Sequence, residues 1–248
     1  MLVVVSCHVS LTRSKEPSYQ GKKLTQWLEE LPDLEPELQG DAELHRWKDV
    51  FCHMGSNAVP FLLKMIQAND SALKAKVIDW AERHDVSALR LERAAFRQDQ
   101  AAIAFRLLGS HARPAIPELV SLMKQARENG GSAAYALAGI GQEAVLPLSE
   151  ALTNQTVEIR TSAAFALCGL NDADGSSAVP NLIAALNDTN RLTRLYAITA
   201  LRHIDKRLDL VLPALAERLT DKDAVIRTYA SSALAGITNA SHKRTAAE

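Results

Sequence analysis

No two of the three cysteines, Cys7, Cys52 and Cys168, stand in a CxxC pair. This excludes a thiolate zinc module and a paired-thiol redox motif, and three widely spaced thiols do not make a disulfide framework. An odd, small number of cysteines instead fits a reducing compartment. Aromatic residues make up only 5% of the chain, too few for the pleated faces of a sandwich or barrel, whereas its abundant alanines suit closely packed helices. The formal net charge is −1, so no global positive field draws in a phosphate backbone, and nucleic acid is not an expected partner. Arg90, Arg93, Arg97, Arg106, Arg113 and Arg127 lie close together in sequence and read as solvated helix faces. No apolar run approaches the roughly 18 to 20 residues of a membrane span.

Chemistry-bearing motifs are missing as well. Seven histidines are present, but there is no HExxH arrangement and no His-Glu dipeptide, so neither a zinc-protease site nor a di-iron hydroxylase site is expected. His45 and His53 are eight residues apart and stay unassigned as ligands. The chain has no GxSxG elbow, P-loop or dinucleotide fingerprint, and Gly130-Gly131 reads as a turn between helices. The expectation is a non-enzyme with no catalytic residue, no metal and no cofactor. The opening Met1 to Cys7 lacks the basic segment of a signal peptide, which makes the expected location cytoplasmic. Val4-Val5-Ser6-Cys7 nevertheless resembles a lipoprotein cleavage box, which keeps the bacterial cell envelope as the alternative if the true start lies upstream.

What the chain does contain is a repeat. A small-apolar-Pro-x-Leu block recurs at Pro60, Pro117, Pro147, Pro180 and Pro213, the last four spaced 30, 33 and 33 residues apart. An Ala-rich block follows each of the later prolines, as in Arg160 to Leu170, Arg194 to Ile204 and Arg227 to Ile237. Each unit thus predicts two helices. Proline opens the first, because it has no N–H to orphan and its φ is already helical. A polar turn such as Asn187 to Asn190 or Thr220 to Asp223 caps the second, and small side chains let the pair approach closely. Such a unit cannot bury its apolar stripe alone, so stacked neighbours must share one core. The fold expected is an all-α superhelix. Within it, Asp188 and Arg194, Asp221 and Arg227, and Asn154 and Arg160 are each six apart, a spacing that predicts a structural ladder of arginines and turn acids along the stack.

These blocks resemble the HEAT-repeat family, in its short, Ala-rich bacterial form also seen in phycobilisome lyase-like proteins. The resemblance covers residues 97 to 238 well and 41 to 96 loosely. It implies a solenoid that presents a surface, and it raises a lyase-like enzyme or lyase subunit as the alternative function, with a nucleic-acid-binding solenoid as the second. Tyr19 to Leu28 resembles a block that precedes the first repeat in some bacterial HEAT proteins and sometimes follows an export signal. Its expected role is to cap the open end of the stack with Trp27 and Leu28.

The organisation expected is a tail over 1–18, capping helices and degenerate repeats over 19–96, regular repeats over 97–238 and a polar tail over 239–248. Leu73, Val77, Trp80 and Ala81 fall at helical spacing in the degenerate part, and the tryptophans are read as core. In the regular part, Ala163, Leu167 and Leu170 mark the core side of one second helix, and Thr161, Phe165 and Cys168 its opposite side. Transferred along the repeats, that frame puts Ile103, Tyr135 and Phe165 side by side on the concave face, flanked by Arg106 and Arg202. Aromatic residues with arginine are the usual anchors of a protein or peptide partner. A monomeric scaffold binding such a partner is the expected function.

Overall fold

The computed structural model describes residues 15–31, 41–84, 94–125, 130–170 and 175–245. Helices stack in pairs around one shared core, and the only strands among the described residues are the two-residue strands β1 (Ser18–Tyr19) and β2 (Lys22–Lys23) of a hairpin. The hairpin turns through Gln20 and Gly21, both at positive φ, and leads into α1 (Leu24–Glu29). Next come α2 (Asp41–Met54), α3 (Val59–Ile66) and α4 (Ala72–Arg83). The regular stack then pairs α5 (Ala94–Leu108) with α3, α6 (Ile116–Lys124) with α7 (Gly130–Ile140), α8 (Gln142–Ala151) with α9 (Val157–Cys168), α10 (Val179–Ala185) with α11 (Arg191–His203), and α12 (Leu208–Glu217) with α13 (Ala224–Thr245). The second helices α5, α7, α9, α11 and α13 lie side by side in that order. Their contact is made by alanines: Ala101, Ala104, Ala133, Ala136, Ala163, Ala166, Ala197 and Ala230 are almost wholly buried.

The prolines divide into two kinds. Pro60, Pro117 and Pro180 stand at the second position of α3, α6 and α10, each preceded by a 3-10 turn. Pro147 and Pro213 instead lie inside α8 and α12, which begin five residues earlier. The expectation of a proline-opened helix is therefore corrected in two units. In all five the residues before the proline are wound, and the two units differ from the others only in that this turn is α rather than 3-10.

The polar turns before the second helices share one geometry. The side chains of Asn154, Asp188 and Asp221 accept the backbone N–H two residues on, at 2.9, 2.8 and 2.9 Å. Asn190 then caps α11 by accepting from the N–H groups of Leu192 and Thr193, satisfying donors that the first turn leaves without partners.

The N-terminal region departs from this regularity. Asp70 accepts from the backbone N–H of Ala94 and from the Lys74 ammonium, both at 2.7 Å, and these bonds hold its carboxyl below the ordinary range. One side chain thereby ties the start of α4 to the start of α5. Of the residues at helical spacing, Leu73, Val77 and Trp80 are exposed, and Ile78 is the buried residue among those of α4 whose burial is described. Trp80, read as core from sequence, is 50% exposed and stacks on His84. The periodicity marked a helix correctly, but α4 leaves this stripe exposed and buries Ile78 instead. At the far end α13 continues to Thr245, past the start of the polar tail expected at Asn239.

Candidate functional site

The neighbouring second helices α5, α7 and α9 bring one register position into a row. On α5, Asp99, Ile103 and Arg106 follow at i, i+4 and i+7 and share one side. Tyr135 is the matching residue of α7 and Phe165 that of α9. Ile103 and Tyr135 are half-buried and Phe165 is 39% exposed. On the opposite side of α9, Ala163 and Leu167 are buried.

The side chains form a connected series. The Arg106 guanidinium lies over the Tyr135 ring, 4.5 Å from its centroid. Tyr135 stacks on Phe165 at 6.3 Å and 20°, and Phe165 meets Tyr196 of α11 edge-on at 5.3 Å and 65°. Beside this series is an open groove of about 360 Å³ lined by Asp99, Ala102, Ile103, Gly131, Ser132, Tyr135 and Phe165. Its one polar pair is Ser132, whose hydroxyl donates to Asp99 at 3.1 Å. Gly131 lines the groove, and a Cβ there would meet nothing within 4 Å. Next to the groove, buried Gln100 donates to the Leu28 carbonyl at the end of α1, so the N-terminal cap abuts the same helix that supplies the groove's first wall.

Sequence alone placed Ile103, Arg106, Tyr135 and Phe165 together; Ile103, Tyr135 and Phe165 line one groove, and Arg106 meets them through the Tyr135 ring. Arg202 stands apart from them, exposed in the last turn of α11. Tyr196 was missed. The shared frame gives Thr199 as the equivalent of Phe165, and Tyr196 reaches the aromatic series from one turn earlier. The available signal was the Arg-x-Tyr sequence of Arg194 and Tyr196, repeated in Arg227 and Tyr229.

One thiol, that of Cys168, lies beside this series. Cys168 follows Phe165 on α9, and its Sγ donates to the carbonyls of Ala164 and Tyr196. Burial pushes its thiol up to about 12, so it stays protonated at neutral pH, when the thiolate is the reactive form. No group of three or more His, Cys, Asp or Glu side chains among the described residues is arranged to hold a metal ion.

A second constellation runs along the turns. Arg160 Nη1 donates to the carbonyls of Asn154 and Gln155, both at 2.9 Å, while its Nε and Nη2 hold Asp188 of the next unit at 2.5 and 3.1 Å. Arg194 repeats this one unit on, with Nη1 on the carbonyls of Asp188 and Thr189 and Nε 3.4 Å from Asp221. Arg227 binds the carbonyls of Asp221 and Lys222. Burial alone would raise the Asp188 carboxyl, but the Arg160 hydrogen bonds and the Asn190 N–H outweigh it and hold the group below its ordinary value. This ladder joins the unit of α9 to that of α11 and the unit of α11 to that of α13.

Comparison with known proteins agrees with the repeat. Residues 146–235 match the family model of HEAT repeats, and residues 131–154 match that of the PBS lyase HEAT-like repeat. No curated protein matches the chain. Solved structures similar to it include the complex of CpcE and CpcF of phycocyanin lyase from Nostoc sp. PCC7120, at 21% identity and a TM-score of 0.47, covering 71% of this chain and 97% of that one. A designed armadillo repeat protein in complex with the peptide (KR)4 is 18% identical with a TM-score of 0.46, covering 87% and 100%. Human deoxyhypusine hydroxylase in complex with glycerol is 18% identical with a TM-score of 0.42, covering 82% of each chain.

Proposed function

We propose that this chain, an all-α superhelix carrying HEAT repeats, is a non-enzymatic scaffold that binds a protein or peptide segment in the groove along its concave face. The observation that carries the reading is the connected series Arg106, Tyr135, Phe165 and Tyr196, which keeps aromatic surface open to solvent beside a predominantly apolar groove. Keeping such surface exposed forgoes burial worth roughly 25 cal/mol per Å², and contiguous exposed apolar patches of this kind mark partner sites. Partly exposed aromatics next to arginine supply the area and the directional contacts of an anchor.

A second reading, a lyase-like enzyme or lyase subunit, is favoured by the match of residues 131–154 to the PBS lyase HEAT-like repeat, a stretch that includes Ser132 and Tyr135. The groove itself offers little for catalysis. Its titratable lining residues are Asp99, which accepts from Ser132, and Tyr135, and the nearby Cys168 is held as a thiol.

The test is affinity capture from a cell extract with the intact protein beside a Tyr135→Glu, Phe165→Glu double variant whose helical content is first verified by circular dichroism. Partners retained by the native protein and lost from the variant are expected. Identical captured sets would refute the concave-face reading. Turnover of a chromophore-protein conjugate by the purified chain would favour the lyase reading instead.

A further inference from the structure

We infer that the groove takes a peptide segment that sets one basic side chain, Lys or Arg, against Asp99 and an apolar neighbour against Ile103, Tyr135 and Phe165. The inference rests on the concave-face reading and adds the charge and make-up of the ligand.

Asp99 carries the only charge among the residues that line the groove. It stands one turn before Ile103 on α5 and is exposed. Its carboxylate accepts one hydrogen bond, from the Ser132 hydroxyl at 3.1 Å, and among the described residues it holds no cation. Other carboxylates of the chain show the contrast. Asp70, Asp188, Asp221 and Asp223 each face a cation of this protein, namely Lys74, Arg160, Arg194 and Arg191. An ionised carboxylate offers about four acceptor sites, and the Ser132 hydroxyl fills one. Ser132 lies in the first turn of α7, whose positive end supplies roughly half an elementary charge, too little to complete the carboxylate. Arg106 is two turns further along α5, about 10 Å by helical rise, and its guanidinium lies on the Tyr135 ring. Glu158, exposed in the first turn of α9 and on the same side of that helix as Phe165, adds a second negative charge.

A complementary occupant is cationic beside Asp99 and apolar beyond it. Lys and Arg join both properties in one side chain, an aliphatic stem that lies along apolar surface and a charged head at its end. The groove volume of about 360 Å³ is at the small end of ligand sites, the size for one such side chain and a neighbour rather than for a folded element. A phosphate-bearing strand is disfavoured by the same charges, because Asp99 and Glu158 repel each phosphate brought past them. Since Asp99 is exposed, its ion pair with a ligand is partly screened and modest in strength. The apolar contacts therefore carry most of the affinity, and the carboxylate selects among apolar segments.

The experiment is selection of a displayed library of random dodecapeptides against the intact protein, followed by fluorescence anisotropy of the selected peptides. Expected is enrichment of Lys or Arg next to a large apolar residue, with a loss of about three- to tenfold in Asp99→Asn that shrinks at high salt. Asp99→Asn keeps an oxygen for Ser132, and circular dichroism checks that the variant is folded. A peptide with Gln in place of its basic residue should bind the native protein as weakly as the basic peptide binds Asp99→Asn, and should lose nothing further in that variant. Selected peptides that lack a basic residue, or whose affinity is the same for Asp99→Asn and the native protein, would overturn the inference. If those peptides are lost in Tyr135→Glu, Phe165→Glu, the concave site stands and only its charge preference fails. If they bind that double variant undiminished, or if no peptide is enriched, the concave site fails as well.

Discussion

At the scale of single residues, the fold is specified by side chains that serve two units at once. Asp188 closes its own turn by accepting the Asn190 N–H and holds Arg160 of the preceding unit. Its side chain is 6% exposed and that of Arg160 is 15%, so the pair is little screened by solvent, and removing one partner leaves a buried charge uncompensated. Asp188→Asn keeps an oxygen for the turn but not the ion pair. It is expected to lower stability by about 1 to 3 kcal/mol in urea denaturation at neutral pH. Because the folded carboxyl lies below its ordinary value, the protein form carrying Asp188 binds fewer protons than the unfolded chain in the acid range. The pair's contribution is therefore full above the unfolded carboxyl value of about 4 and is lost as pH falls through the lower, folded one. The stability gap between native and Asp188→Asn should shrink over that window. A gap that stays constant with acidification would show that the carboxylate charge is not what the substitution removes.

At the scale of the element, each second helix is started by its turn and ended by its packing. Asn190 accepts two backbone N–H groups at the start of α11, and Asn190→Ala is expected to cost about 1 kcal/mol, read as a lowered urea midpoint with unchanged m-value. The element also shows where periodicity stops being informative. A stripe at 73, 77 and 80 announces a helix whether or not anything covers it. In α4 Leu73 and Trp80 stay exposed, while Asp70 ties the start of this helix to the start of α5. The prolines carry the same lesson. Their positions revealed the unit length, but whether the turn before each is α or 3-10 depends on the connection that feeds it, as with Gly141 at a φ of 97° just before α8.

At the scale of the whole molecule, the apolar flank of the first repeats has to be covered. Trp27, Leu24 and Leu28 are all buried there, with Trp27 donating its indole N–H to the Tyr19 carbonyl and meeting Trp47 edge-on at 5.8 Å. The last described helix, α13, exposes Thr228, Ser231, Ser232, Thr238 and Asn239 beside Tyr229. Trp27→Ala is expected to destabilise the protein by about 3 to 5 kcal/mol, with the loss of protection in hydrogen exchange greatest in α1 and α2. Uniform loss along all repeats would mean that the cap and the stack unfold as one unit.

The sequence by itself determined the unit length, the two helices per unit, the recurrence of turn acids and arginines, and the outward side of the regular second helix α9. All of these follow from local spacing, which chain geometry converts directly into direction. Only the tertiary structure decided which neighbour each outward side chain meets: that Tyr196 joins the aromatic series from one turn off the common register, that Trp80 is left outside, and that Arg106 lies on Tyr135 while Arg160 is bound to Asp188. Those outcomes depend on the offset between successive helices, and that offset is a property of packed surfaces rather than of any single repeat.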